Sequence, residues 1–278
     1  MSVDLHTHTT ASDGDLTPTE LVQRASKRGI GTLAVTDHDT LGGIDEATRE
    51  ARVVGIRLIV GVEVSVETVT GQLHLLGYFP TSPPQATVDQ LDQLAQARRA
   101  RARRIVERLC EIGAPISWDR VLARAAGSVG RPHIATELCA QGHAASLQDA
   151  FTRYLGDGAP AYIASDGLSA QDGLALVRAG GGAPTLAHPA TLRLDPGPLD
   201  DLVRDLTSMG LVGIEVHRPE HRPADRRHFG ELAERHGLVP TGGSDFHRCG
   251  EAADVGDTGS PALPIRTPDF LLDRCEMR

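Results

Sequence analysis

The sequence predicts an α/β fold, a parallel sheet or barrel interrupted by a helical insertion. Three features predict it. Short aliphatic runs alternate with helical segments over the N-terminal part. A proline-rich break then leads into a long helical block. The same alternation resumes toward the C-terminus.

Taken in order, residues 3–5 read as a strand. Thr17 caps the helix that follows, with Pro18 in its first turn, Glu20 completing a capping-box pattern, and Gly29 closing it. Residues 32–36 form the next strand and 44–54 the next helix, and 57–66 and 72–78 are further strands. TSPPQAT (81–87) breaks the pattern. From 88 to about 155 the reading is helical, with Leu91, Leu94, Ile105 and Leu109 near one face at helical spacing. Shorter helices are expected over 118–126, 134–141 and 147–154. Helix 174–179, strand 183–187, helix 199–209, strand 212–216, helix 224–236 and strand 238–241 restore the alternation. The tail from Gly256 carries no defined element. The chain thus divides into a barrel from residues 1–80 and 181–278 and an inserted helical cap over 81–180.

Of the 278 residues 40% are apolar, enough for a sizeable core, and that core must be aliphatic because only 3% are aromatic. So few rings leave few stacking platforms for single-stranded nucleic acid. A net charge of -9 disfavours broad attraction to polyphosphate, so no duplex DNA binding is expected. Cys110, Cys139, Cys249 and Cys275 are widely spaced and form no C-x-x-C, which argues against a zinc finger or a disulfide framework and for a reducing compartment. With no basic-apolar leader and no membrane-length apolar run, a cytoplasmic protein without a membrane partner is the expectation.

The chemistry is carried by polar residues placed just after the aliphatic runs. His6 and His8 lie two apart, so on a strand both face one centre, and Asp13 can fold back from the next loop. The layout recurs with Asp37-His38-Asp39, Glu63, His74, His188, His217, and finally Asp245 and His247. In α/β barrels the strand ends surround one mouth, so these groups should converge. Neutral imidazoles and carboxylates suit divalent zinc, iron or manganese. So many donors exceed what one ion needs, which points to two or three ions. Taken singly, each motif has an ordinary reading: HxH as a surface pair, Asp37 as a helix cap, AHP as a loop histidine. Their repetition after successive strands decides against coincidence.

These motifs resemble the PHP (polymerase and histidinol phosphatase) family, and within it the free-standing bacterial metal-dependent phosphoesterases. The resemblance rests on DLHTHTTASDG (4–14), TDHDT (36–40), GVE (61–63) with HLLGY (74–78), AHP (187–189) and GSDFH (243–247). It implies a distorted (β/α)7 TIM-like barrel with a trinuclear centre. The ligands would be His6, His8, Asp13, His38, Glu63, His74, His188, Asp245 and His247, with Glu63 and Asp245 bridging. The inserted GRPHIA (130–135) and AFTRYLGDGAPAY (150–162) also match, and imply that Arg131 and His133 point at a substrate phosphate. Two positions depart from the pattern: Asp157 stands where a basic residue is usual, and His217 where a tyrosine is usual.

The implied reaction is phosphoester hydrolysis of a nucleotide, of the 3′,5′-bisphosphate type, or of a short 5′-phosphorylated oligonucleotide. Clustered cations lower the pKa of a water held between them, giving a bridging hydroxide, and neutralise the phosphate oxygens. His217 or His221 would protonate the leaving alcohol, with Asp37 a further catalytic candidate. The stretch ARRARARR (97–104) reads either as a solvated face or, through Arg98 and Arg101 on the face of Leu91, Leu94 and Ile105, as a grip for a second phosphate. A histidinol-phosphate-type or other small-molecule phosphatase, a non-phosphate metallohydrolase and a non-catalytic accessory module are the competing readings.

Overall fold

The computed structural model describes residues 2–68, 71–125, 127–164, 167–250 and 253–258. The elements run β1 (Ser2–Asp4), α1 (Pro18–Lys27), β2 (Ile30–Val35), α2 (Ile44–Val54), β3 (Arg57–Thr68), β4 (Gly71–Phe79), α3 (Gln85–Glu111), α4 (Trp118–Arg124), α5 (Arg131–Ala140) and α6 (Leu147–Ala150). After a π turn (Phe151–Leu155) come β5 (Leu168–Ser169), α7 (Ala170–Ala179), β6 (Ala183–Leu186), a 3-10 turn (Pro189–Leu192), α8 (Pro196–Ser208), β7 (Gly213–His217), α9 (Pro223–His236) and β8 (Val239–Gly242). At the first helix the capping box forms as its residues dictate. The Glu20 N–H donates to Thr17 Oγ1 at 3.2 Å, and the Thr17 N–H donates to the Glu20 carboxylate at 2.9 Å.

The main path of the sheet is β1-β2-β3-β4-β6-β7-β8, with β5 paired to β3. Most ladders are parallel, but β4 runs antiparallel to both β3 and β6. The reason is length. The link from Thr68 to Gly71 is far too short for a parallel crossover, which takes a dozen residues or more, so it must make a hairpin. The reversal has a functional effect. It brings the early part of β4, with His74, to the end of the sheet where its neighbours finish; His74 stands opposite Ser65 in the register. The two ends of the path also meet. Leu5 N–H donates to Gly242 O, Asp245 N–H to His6 O and His8 N–H to Phe246 O, at 3.1, 2.8 and 2.9 Å. Seven strands lie on this joined path, the number the family resemblance implies.

Alternation along the strands separates two faces. Val62, Val64 and Val66 of β3, Leu73 and Leu75 of β4 and Ile214 and Val216 of β7 pack outward against α7, α8 and α9. Leu33 and Val35 of β2 pack against α1 and α2. The opposite face holds a small cluster of Val3, Leu5, Ala34, Ile59, Leu76, Tyr78 and Ala187, drawn from five successive strand segments. The Tyr78 hydroxyl, buried there, donates to Leu5 O at 2.9 Å.

The structure adjusts the predicted elements. Helix 147–154 is a single α turn that passes into a π turn, and β5 was not foreseen. Residue 126, the end of one predicted helix, lies outside the described residues, as does the chain from 259 with Cys275. Helix α3 serves two cores: Leu91 packs with the sheet, whereas Ile105 and Leu109 pack with α4 and α5. Helix α7, placed in the insert by the sequence reading, buries Leu174, Leu176 and Val177 against the sheet. We propose accordingly that the inserted subdomain ends before β5. Among the described residues, no helix is long and apolar enough to cross a membrane.

Candidate metal centre

The loops that follow β1, β2, β6 and β8, together with Glu63 on β3 and His74 on β4, carry the predicted ligands into one buried cluster. His6 Nε2 lies 3.3 Å from Glu63 Oε2 and 3.2 Å from Asp245 Oδ1. His8 Nε2 lies 3.2 and 3.1 Å from the same two oxygens. His38 Nδ1 is 3.2 Å from Glu63 Oε2, while His74 Nδ1 and His188 Nε2 are each 2.8 Å from Glu63 Oε1. His247 Nε2 is 3.4 Å from Asp13 Oδ1. Three sets of donors converge: His8, Asp13, His38 and His247; His6, His8, Glu63 and Asp245; His38, Glu63 and His74. Glu63 belongs to two sets and Asp245 to one. His188 touches Glu63 but joins none of the three.

The donor set fits divalent cations on a physical ground. His6 Nε2, His8 Nε2, His38 Nδ1, Asp13 Oδ2 and Asp245 Oδ1 are buried without a hydrogen-bond partner. Leaving one such atom unsatisfied costs about 1–3 kcal/mol, so a cage of them is expected only where cations take the lone pairs. Metal–nitrogen and metal–oxygen bonds of about 2.0–2.2 Å set neighbouring ligand atoms about 3 Å apart, which is the spacing here.

The charges of the cluster are mutually dependent. Burial pushes His6 and His8 down, but the surrounding carboxylates lift His6 well above its ordinary value and His8 to about 10. Burial opposes the charge on Asp13, Glu63 and Asp245, yet the imidazoles around them hold all three well below the usual carboxylate range. His38 and His188 are held down by their burial.

Backbone geometry supports the same point of convergence. Asp39, His188 and Asp245 all have positive φ, at 55°, 28° and 52°. That region is costly for residues with a Cβ and is tolerated where neighbours enforce it. Gly243 is required by close approach: a Cβ there would lie 2.3 Å from the Cβ of His6.

Several functional residues escaped the sequence reading, and Asp39, which it named, takes a structural role. Glu215 is fully buried on β7. Its carboxylate accepts from His6 Nδ1 at 3.1 Å and from the His188 N–H at 2.7 Å. It thereby sets the tautomer that leaves His6 Nε2 free to ligate. The signal was present: an acid between outward-facing Ile214 and Val216 must face inward. Arg218 donates to Asp245 and pairs with Glu220 at 3.1 Å. Asp39 accepts from Ser65 N–H at 2.9 Å and from Arg98 at 2.7 Å, fastening α3 to the sheet. Gln72 accepts from Arg131 Nη2 at 3.0 Å.

Beside the cluster lies a cleft of about 190 Å³ whose wall includes Asp13, His38, His74, Arg98, Arg101 and Arg131. Arg98 and Arg101 are partly buried, whereas Arg99, Arg103 and Arg104 are exposed, so the arginine stretch has both a solvated and an inward side. Arg98 is tied to Asp39 and Ser65; Arg101 donates to Ile163 O at 2.7 Å. The guanidiniums of Arg101 and Arg131 stand 5.7 and 6.0 Å from the centre of the Tyr162 ring. Asp157, the departure noted above, sits 3.5 Å from Arg131.

Other predicted residues take different places. The Asp37 carboxylate accepts from Thr9 N–H, Thr9 Oγ1 and Ser12 Oγ at 2.6–2.7 Å, so both oxygens are occupied in holding the loop that carries Asp13. We propose for Asp37 a positioning role in place of the catalytic one expected from the sequence. His133 is not among the residues lining Arg131's cleft; it lines another cavity, to which Asp13 also contributes. His217 and His221 are not among the cleft's lining residues. His221 Nδ1 donates to Val216 O at 3.0 Å. Burial holds both histidines below the ordinary imidazole range, against the charged form a general acid needs.

A largely parallel sheet whose loops bring imidazoles and carboxylates to one arginine-flanked cleft defines a metal-dependent hydrolase. The PHP domain model matches residues 4–115, and the chain belongs to this family. It is 34% identical to a 3′,5′-nucleoside bisphosphate phosphatase of Chromobacterium violaceum, over 92% of this chain and 91% of that protein. It is 37% identical to the 5′-3′ exoribonuclease Rnm of Salmonella typhimurium, over 88% and 85%. Among solved structures, an amidohydrolase from Chromobacterium violaceum with bound sulfate and no metal superposes with a TM-score of 0.90 at 34% identity, covering 99% of this chain and 97% of that one.

Proposed function

We propose that the chain hydrolyses phosphate esters of nucleotides, either a nucleoside 3′,5′-bisphosphate or a short 5′-phosphorylated oligonucleotide. The observation that carries this reading is the buried His/Asp/Glu cluster beside a cleft walled by three arginines. His6, His8, Asp13, His38, Glu63, His74, His188, Asp245 and His247 would hold two or three divalent ions, manganese, iron or zinc. When bound, such ions supply Lewis acidity toward water and phosphate oxygens.

The chain's own residues do the rest. Arg131 and Arg101 neutralise and orient the phosphate, as the planar guanidinium fork suits its oxygens. Arg98, already paired with Asp39, adds positive potential and fixes the wall. Glu215 keeps His6 in its ligating tautomer, and Arg218 holds the outer oxygen of Asp245. Water adds to phosphorus, the P–O bond to the leaving oxygen breaks, and the alcohol departs with a proton, leaving inorganic phosphate from a monoester or a nucleotide monoester from an internucleotide phosphodiester. The bisphosphate phosphatase and exoribonuclease relatives support the substrate class, and the three arginines that wall the cleft support an anionic ligand over a neutral amide.

The test is metal analysis of the purified protein together with product analysis, inorganic phosphate or released nucleotide, from a panel. The panel contains a nucleoside 3′,5′-bisphosphate, a 5′-phosphorylated oligoribonucleotide, histidinol phosphate and a cyclic nucleotide. Turnover of either of the first two, abolished by Asp245→Ala in a folded protein, is the expected result. Wild-type turnover by that variant, or preference for histidinol phosphate, would overturn it.

A further inference from the structure

One buried carboxylate ties together the proposed ligands at the two ends of the sheet, yet it belongs to none of the three donor sets. Asp4 is the last residue of β1 and is fully buried. Its Oδ1 accepts the Ser244 N–H at 2.9 Å and the His6 N–H at 3.3 Å. Its Oδ2 accepts the Ser244 hydroxyl at 2.6 Å and the Gly256 N–H at 2.7 Å. Ser244 precedes Asp245, whose N–H donates to His6 O at 2.8 Å. Asp4 therefore grips both segments of the junction that carries His6 and Asp245. Asp245 stands there at φ 52°, a conformation that its neighbours must enforce.

The fourth donor comes from far along the chain. Gly256 belongs to residues 253–258, which form neither helix nor strand and are fastened to α1. Arg24 grips Asp254 with two bonds, Nε to Oδ1 at 2.6 Å and Nη2 to Oδ2 at 2.7 Å. Arg28 adds bonds to Asp254 at 3.0 Å and to Asp257 at 2.8 Å. Val255, beside Asp254, is fully buried in the apolar cluster that also holds Phe246. Phe246 separates Asp245 from His247, so the strap shares a core with the loop that carries two proposed ligands. Gly256 turns at φ 88°, and a Cβ there would lie 2.4 Å from Ile30 Cδ1, so only glycine lets this N–H reach Asp4.

We propose that Asp4 is a positioning residue for the metal centre, and that the strap of residues 253–258 acts through it to set how tightly the cluster holds its ions. This role rests on the metal-centre reading and adds a control that lies outside the ligand set. Three of the four donors on Asp4 are backbone N–H groups, which cannot become acceptors. An asparagine therefore fits in neither orientation. With its oxygen toward Ser244 and His6, its NH₂ meets the Gly256 N–H and releases the strap. Reversed, its NH₂ meets the Ser244 and His6 N–H groups and disturbs the junction itself. Unfastening the strap at α1 has a milder effect: Oδ2 keeps only the Ser244 hydroxyl, and the carboxylate can turn away from the junction. In each case the ligands remain but their spacing loosens, and metal affinity falls.

The experiment measures Mn²⁺ and Zn²⁺ affinity by competition with a chromophoric chelator, the visible absorption of the Co²⁺-loaded protein, and thermal unfolding of the metal-free protein. The variants are Asp4→Asn, the pair Arg24→Gln with Arg28→Gln, and Leu206→Ala as a control. Leu206 is buried in the core under α8, so its truncation weakens the fold without touching the strap or the cluster. Asp4→Asn should lower metal affinity about 10–100-fold and alter the Co²⁺ spectrum. The arginine pair should lower affinity by a smaller factor, at least about threefold. Leu206→Ala should lose melting temperature and keep its affinity within about twofold of wild type. Wild-type affinity in the arginine pair overturns the proposal. So does a loss in Asp4→Asn no larger than that of the control at an equal loss of melting temperature, which would make the network purely structural. Should Asp4→Asn fail to fold, the arginine pair decides alone, since its side chains are 37% and 38% exposed. A wild type that binds no transition ion would instead sink the metal-centre reading itself.

Discussion

Replacing Glu215 by glutamine tests whether a residue that touches no substrate controls the cluster. One carboxylate oxygen takes His6 Nδ1 at 3.1 Å and the other the His188 N–H at 2.7 Å. A glutamine amide has one acceptor and one donor end. The His188 N–H belongs to the backbone and cannot change role, so the amide oxygen should remain with it. The NH₂ end then faces His6, and the ring must turn its proton from Nδ1 to Nε2 to accept that bond. Nε2 is the atom 3.2–3.3 Å from Asp245 and Glu63, and once protonated it cannot ligate. Replacing partners of this kind typically costs about 10–100-fold in metal affinity, or about 1.4–2.8 kcal/mol. The assay is competition for Mn²⁺ or Zn²⁺ against a chromophoric chelator, with thermal unfolding of the metal-free protein as the fold control. If the variant folds and binds metal within about twofold of wild type, the tautomer argument is wrong.

Further predictions separate roles that look alike. Arg101→Ala should raise KM for a bisphosphate more than for an aryl phosphate and leave the melting temperature little changed. Arg98→Ala should also destabilise the fold, by about 1–3 kcal/mol in chemical denaturation, because it strands the Asp39 carboxylate inside the protein. Gly243→Ala drives a methyl into His6 and should cost about 1–3 kcal/mol with loss of tight metal binding; normal metal content would refute the contact. Hydrogen bonds and charge from Arg222 hold the Asp225 carboxyl at about 2, below its ordinary 3.8. The folded state therefore binds that proton less readily, and the stabilisation is complete above pH 3.8 and lost as pH falls toward 2. Asp225→Ala should lower stability at neutral pH by less than about 1 kcal/mol, since Arg222 is open to solvent, and the gap to wild type should close on acidification.

Local rules made much of this molecule legible. Thr17, Pro18 and Glu20 specify the first helix start on their own, and helix α2 follows its apolar spacing to both predicted ends. The histidines and acids of the cluster were legible because most follow an aliphatic strand, with Glu63 and His74 on strands themselves, and strand ends converge. Longer-range facts were not. Helix α7 packs into the sheet core because its leucines find β3 and β4, a tertiary choice that its own periodicity does not encode. Strand β5 is two residues long and exists only because β3 offers it an edge. Arg218 follows His217 in a stretch where the histidines drew attention, and only the fold brings its guanidinium to Asp245. Asp37 looked like a helix cap or a catalytic acid. Its actual partners, Thr9 and Ser12, lie 28 and 25 residues away.

The double allegiance of α3 has a further effect. Its first turns are anchored in one apolar cluster and its last turns in another, and Arg98 lies where the two meet. The helix cannot tilt without disturbing both, so the cationic wall is assembled when the chain folds and does not wait for a ligand to organise it. Anion capture there should carry little ordering entropy, and selectivity will depend on how well a guest matches a fixed outline.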